Sequence, residues 1–160
     1  MIIEKKHRLS EAAYAGRILC SFVICVDQRK HFFISEKTFT PVEEFLLSEL
    51  EFYSCGAEVY LFMPDHGHLI LRGLTDSANV LTCLKSFKQK TGFWFHEEHA
   101  SFRWQKNLYD HVLRADEEIV NQIKYVLNNP VRKGIVANWK DYAFKGSTVH
   151  DLSKWPEELL

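Results

Sequence analysis

No cysteine pair in this chain has the spacing of a metal or redox motif. Cys20, Cys25, Cys55 and Cys83 form neither a CxxC nor a zinc-finger pattern, so four buried, reduced thiols are expected. No apolar run approaches the roughly 20 residues that a membrane-spanning helix needs. No apolar stretch follows the charged start Met1-Ile2-Ile3-Glu4-Lys5-Lys6-His7-Arg8, as one would in a secretory leader. The expectation is a cytoplasmic protein without membrane contact. Neither charge is in excess, with 20 basic against 21 acidic side chains, so composition alone does not advertise a polyanion binder. Internal repeats, low-complexity segments and a second-domain linker are also missing.

What is present suits one compact domain with a core of its own. The chain has 160 residues, 46% of them hydrophobic and 14% aromatic. Its charge is unevenly spread. Residues 66–150 carry 12 basic and 8 acidic side chains, a local excess of +4, against 7 and 10 in residues 1–65. A basic surface can therefore sit on a chain whose total is close to zero.

Residues 1–16 read as a polar lead-in. Ile18 to Val26 is apolar nearly throughout and reads as a strand buried on both faces. Thr40-Pro41-Val42-Glu43 spells a helix start, with Thr40 as N-cap and Glu43 completing a capping box; Gly56 is its stop. Glu58–Met63 and His66–Leu71 form two antiparallel strands about a Pro64-Asp65 break. Asp76 or Ser77 caps a second helix running to about Thr91, with Gly92 at its end. Phe102-Arg103-Trp104-Gln105 begins a short fourth strand, and Asp116 opens a third helix whose acidic first turn suits the macrodipole. Pro130 ends that helix near Asn129, and the tail from Gly134 packs back as irregular chain. The order strand–helix–strand–strand–helix–strand–helix implies an α+β fold of the ferredoxin-like (RRM-like) type. Its antiparallel sheet carries helices on one face and keeps the other for a ligand or the last helix.

Two features carry chemistry. His66 and His68 are two apart on a strand and so share a face. They are either a metal-ligand pair or ordinary polar residues on a solvated sheet. In the third helix Ile119, Ile123, Val126 and Leu127 make the buried stripe, and Tyr125 and Asn129, at i and i+4, fall off it side by side. Packing of the tyrosine ring against the sheet is the alternative reading. Together the two features suggest a mechanism. A divalent cation held by two imidazoles and an amide oxygen polarises a scissile phosphate, and the Tyr125 phenol attacks it. Tyr109 is a rival nucleophile, in a segment with no amphipathic pattern.

Met63-Pro64-Asp65-His66-Gly67-His68-Leu69-Ile70-Leu71 resembles the His-hydrophobic-His (HUH) signature of single-tyrosine transposases. Trp104-Gln105, Tyr109-Asp110-His111-Val112-Leu113-Arg114 and Tyr125-Val126-Leu127-Asn128-Asn129-Pro130-Val131-Arg132-Lys133-Gly134 are similar to the downstream block of one branch, the REP-associated tyrosine transposases. These are related to insertion-sequence transposases that act on single-stranded DNA hairpins. The resemblance implies one HUH domain over 1–160, with a core of about 14–136 and a tail of 137–160. It implies Tyr125 as nucleophile, His66, His68 and Asn129 as metal ligands, and Mg²⁺ or Mn²⁺ as cofactor. Implied too are cleavage and joining of single-stranded DNA near hairpins through a 5′-phosphotyrosine intermediate, and a nucleoid-associated location. The alternative is a catalytically quiet, domesticated hairpin-binding protein. A third possibility is an unrelated metal hydrolase using the two histidines.

The expected phosphate contacts are Lys85, Lys88, Lys90, Arg103, Lys106, Arg132 and Lys133. Trp104 and Phe102 can stack on unpaired bases, although core packing suits Phe102 better. The short link from Arg114 to Asp116 favours a monomer over a homodimer with exchanged helices. Gly67 departs from the signature, which has a bulky apolar residue there, and its missing side chain is expected to cost packing and loosen the strand.

Overall fold

The computed structural model describes residues 10–159; the charged run Met1–Arg8 lies outside them. Five strands form one antiparallel sheet in the order β4-β1-β3-β2-β5. β1 spans Leu19–Cys25, β2 Cys55–Met63, β3 His66–Gly73, β4 Tyr109–Leu113 and β5 Lys145–Gly146. The helices are α1 (Glu36–Phe52), α2 (Val80–Glu98), α3 (Asp116–Leu127) and the single turn α4 (Asn129–Arg132). Among the described residues no helix is long and apolar enough to cross a membrane.

Strand alternation sends each side of the sheet to a different core. Phe22, Ile24, Tyr60, Phe62, Leu69 and Leu71 face α1 and α2. Leu19, Val59, Leu61, Met63, Ile70 and Leu113 face Ile123, Val126 and Leu127 of α3 and Trp139 and Tyr142 of the tail. All nine residues of β2 are buried as a result. The tail is fastened to β2 at Phe62: the Tyr142 hydroxyl donates to the Phe62 carbonyl at 2.6 Å, and the Phe62 N–H donates to the Phe144 carbonyl at 2.9 Å.

Several boundaries differ from the sequence reading. α1 starts at Glu36 rather than after Thr40; Ser35 is the N-cap, and its N–H donates to the Thr38 hydroxyl at 3.4 Å. The reason is Phe39, buried one turn ahead of Val42 and in line with Leu46 and Leu50. Pro41 is carried inside the helix, where it cannot donate to the Lys37 carbonyl. Glu43 makes no capping box and instead accepts the Tyr60 hydroxyl at 2.8 Å. α2 is capped by Asn79, whose side chain accepts the Thr82 N–H at 3.0 Å, not by Asp76 or Ser77. It runs through Gly92 because Phe95 continues the buried stripe. The fourth strand is Tyr109–Leu113, not Phe102–Gln105. Trp104 makes one isolated bridge to Val26 and turns its ring into the α1/α2 core, where Nε1 donates to the Thr91 hydroxyl at 2.7 Å. All four cysteines are buried free thiols.

Candidate active site

The β2–β3 hairpin turns at Pro64-Asp65, with Met63 opposite His66. His66 and His68 therefore point to the α3 side of the sheet, beside Cys25 and Val23 of β1. Their Nε2 atoms lie 3.0 Å apart, with the rings edge to face. α3 packs its apolar stripe on β2. The Asn128-Asn129-Pro130 break then turns the chain so that Asn129 is buried with its carboxamide 2.8 Å from His68 Nε2.

The protonation pattern follows from the neighbours. His66 Nδ1–H donates to Asp65 Oδ1 at 2.6 Å, which leaves Nε2 bare. The Asn129 amide donates to His68 Nε2, which leaves that nitrogen without a proton as well. Burial pushes His68 down to about 3, aided by the charges of His66, Arg132 and Arg29. Burial also lowers His66, against the opposing pull of Asp65. Both imidazoles are thus neutral at pH 7, and two lone pairs face each other across 3.0 Å. That arrangement suits a cation between them. A half-turn of the Asn129 carboxamide would present Oδ1 as a third donor. Among the described residues no three His, Cys, Asp or Glu side chains form a metal cluster, so the amide is needed to complete the set.

A cleft of about 220 Å³ opens over this group, lined by Val23, Arg29, Tyr125 and Lys133 together with His66, His68 and Asn129. Tyr125 is 54% exposed. The Arg132 guanidinium stacks on its ring, 3.8 Å from the centroid. Tyr109 pairs with Val23 on the edge strand and is not among the residues lining the cleft.

The expected phosphate contacts divide. Lys133 lines the cleft, and Arg132 reaches it only through its stacking on Tyr125. Lys85, Lys88 and Lys90 lie on α2, across the sheet. Lys88 is tied to the Gln105 carbonyl at 2.9 Å, Lys90 pairs with buried Glu49, and Lys85 lies 3.8 Å from Glu11. Arg103 pairs with Asp27 at 2.8 Å, in the chain that passes the end of β1, and Lys106 follows it there. Arg29, which lines the cleft, and Asp65, which holds His66 behind it, escaped the sequence reading. Asp65 stood inside the motif without a role, and Arg29 lies in a loop with no local signal.

The IS200-like transposase family model matches residues 16–129. The chain belongs to that family. A curated Haemophilus influenzae (strain KW20 / Rd) protein, provisionally named a REP-associated tyrosine transposase, is 25% identical to this transposase-family chain over 105 residues. That match takes in 59% of the chain and 60% of the relative, so the chain spans about three fifths of the relative's length. The fold matches a solved REP-associated tyrosine transposase bound to a REP hairpin, with TM-score 0.77 and 16% identity, over 98% of this chain and 93% of that one. It also matches a Deinococcus radiodurans R1 protein provisionally described as a transposase, with TM-score 0.52 and 16% identity, over 78% of this chain and 96% of that one. The ferredoxin-like α+β architecture and the resemblance to REP-associated transposases are thereby borne out.

Proposed function

We propose that the protein is a metal-dependent endonuclease and strand transferase acting on single-stranded DNA at or near hairpins, through a 5′-phosphotyrosine intermediate. The observation that carries this reading is the convergence of Tyr125, the two bare imidazole nitrogens and the Asn129 carboxamide on one cleft. His66, His68 and Asn129 would hold Mg²⁺ or Mn²⁺, and mixed imidazole and amide donors suit Mn²⁺ better. Bound there, such an ion would supply Lewis-acid polarisation of the scissile phosphate.

The chain's own residues do the rest. Asp65 keeps the His66 proton on Nδ1. Arg132 stacks on the Tyr125 ring and limits its rotation. The Tyr125 oxygen forms a bond to phosphorus as the bond from phosphorus to the 3′ oxygen breaks. The phenol proton leaves, and the departing strand takes up a proton to end in a free 3′-hydroxyl. The reverse attack by such a hydroxyl joins strands. Lys133, at the cleft rim, suits a neighbouring phosphate. A hairpin partner is supported by the solved relative that is bound to one. Because the short link after β4 lays α3 on the sheet of its own chain, we take a monomer as the working unit.

The test is incubation with single-stranded hairpin oligonucleotides drawn from the flanks of the coding region, with Mn²⁺ or Mg²⁺. The expected product is a protein–DNA adduct that survives denaturant, is lost in chelator and is absent in Tyr125→Phe. An adduct formed equally by Tyr125→Phe refutes the mechanism. Chelator-insensitive hairpin binding without cleavage would establish the domesticated binding protein instead.

A further inference from the structure

The loop after β1 holds an unusual backbone. Gln28 and Arg29 are consecutive residues with φ of 60° and 52°, in the left-handed region that side-chain-bearing residues seldom adopt. The conformation is imposed from several sides. The Val26 N–H donates to the Asp65 carbonyl at 2.9 Å, and the Phe32 and Phe33 N–H groups both donate to the Pro64 carbonyl, at 2.8 and 3.0 Å. The loop is thereby stitched to the hairpin turn that carries Asp65 and His66. Strain of this kind gathers where a side chain must be aimed.

What is aimed here is a guanidinium. Arg29 Nε donates to Asp65 Oδ2 at 2.9 Å, while the other carboxylate oxygen, Oδ1, holds His66 Nδ1 at 2.6 Å. The carboxylate is therefore gripped at both oxygens. With its rotation fixed, the His66 ring and its bare Nε2 are fixed too. We infer that Arg29 is a positioning residue for the ion-binding site: acting through Asp65, it presents His66 Nε2 toward His68 and Asn129. This rests on the metal reading above. Lysine would retain the charge but lacks the rigid guanidinium that sets Nε on Asp65 Oδ2 with Nη2 3.4 Å from His66 Nδ1.

The experiment measures Mn²⁺ binding to the full chain without DNA, from the loss of the free aqueous Mn²⁺ EPR signal, alongside melting temperature. Arg29→Gly suits the left-handed backbone and removes the guanidinium; Arg29→Lys keeps the charge. Both are expected to melt within a few degrees of wild type, yet to bind Mn²⁺ roughly 10-fold or more weakly, as loss of a hydrogen-bond partner behind a metal ligand does. Asp65→Asn should weaken binding similarly. Adding Arg29→Gly to it should weaken binding no further, because the two act in series. Wild-type affinity in Arg29→Gly, or additive losses in the double variant, overturns this inference alone. A wild type that takes up no Mn²⁺ overturns the metal reading as well.

Discussion

Gly67→Val restores a bulky apolar residue to the His-x-His motif, and the structure says it destabilises the protein. A Cβ built on Gly67 would lie 2.8 and 2.9 Å from Cε1 and Cδ1 of Phe62, its cross-strand neighbour. The expectation that the glycine leaves a packing defect is thus corrected, because the Phe62 ring already fills the space. Phe62 is fully buried and hemmed in by Phe33, with ring centroids 4.9 Å apart, and by Phe39 at 5.8 Å. It has little room to retreat. Overpacking of this kind costs about 1–3 kcal/mol, and relief of glycine's backbone entropy returns roughly 0.5–1 kcal/mol. The mid-range values leave a net loss of about 1 kcal/mol, a fall in melting temperature of roughly 2–4 °C for a chain of this size. Urea unfolding of wild type, Gly67→Val, Phe62→Leu and the double variant measures it. The double variant should recover stability relative to the sum of the singles, with a coupling of about 1–2 kcal/mol. A Gly67→Val protein as stable as wild type, or strictly additive losses, would refute the reasoning.

Two further predictions concern charge. His68 is held near 3 in the fold by burial and ionises near 6.5 when unfolded, so the unfolded chain binds the extra proton below that pH. Stability is complete above about pH 6.5 and is lost as pH falls toward 3, by roughly 2 kcal/mol at pH 5 from this group alone. His66, lowered in the same direction, adds to the loss. Urea midpoints at pH 7.5 and 5 should therefore differ more in wild type than in His68→Asn; parallel shifts would refute the assignment. Lys133 lines the cleft, whereas the Lys88 ammonium is bonded to the Gln105 carbonyl across the sheet. Lys133→Ala should weaken hairpin binding and reduce its salt slope by about 1. Lys88→Ala should cost about 1 kcal/mol of stability and leave the slope unchanged.

The sheet was legible because its strands are long apolar runs. β1, β2 and β3 fall within a few residues of the expected bounds, and strand alternation alone put both histidines on one face. The helix starts were not. Thr40-Pro41-Glu43 spells a capping signal more clearly than Ser35 does, but the burial of Phe39 decides where α1 begins. Phe102-Arg103-Trp104 looks like a strand, yet the Trp104 ring is worth more inside the core, with its N–H satisfied by Thr91. In the site, the convergence of Tyr125 and Asn129 on His68 followed from helix spacing and motif resemblance. The contact of Arg29 with the hairpin turn did not, since a left-handed loop leaves no periodic trace. Nor does sequence reveal which lysines of a basic helix are already bound to carbonyls and carboxylates.

The covering of the α3 face by Trp139 and Tyr142 has a consequence in time. A ribosome adding about 5–20 residues per second needs roughly 5–20 s to pass from the histidine strand to the end of the tail. Within that interval the α1/α2 core can close once the chain has passed Trp104 and Leu108, but the opposite face of β2 awaits its lid, and the Phe62 carbonyl awaits the Tyr142 hydroxyl. The nascent chain thus carries its histidines well before the phenol that would work beside them. The cleft residues come together under their cover only after the chain has been made through that tail.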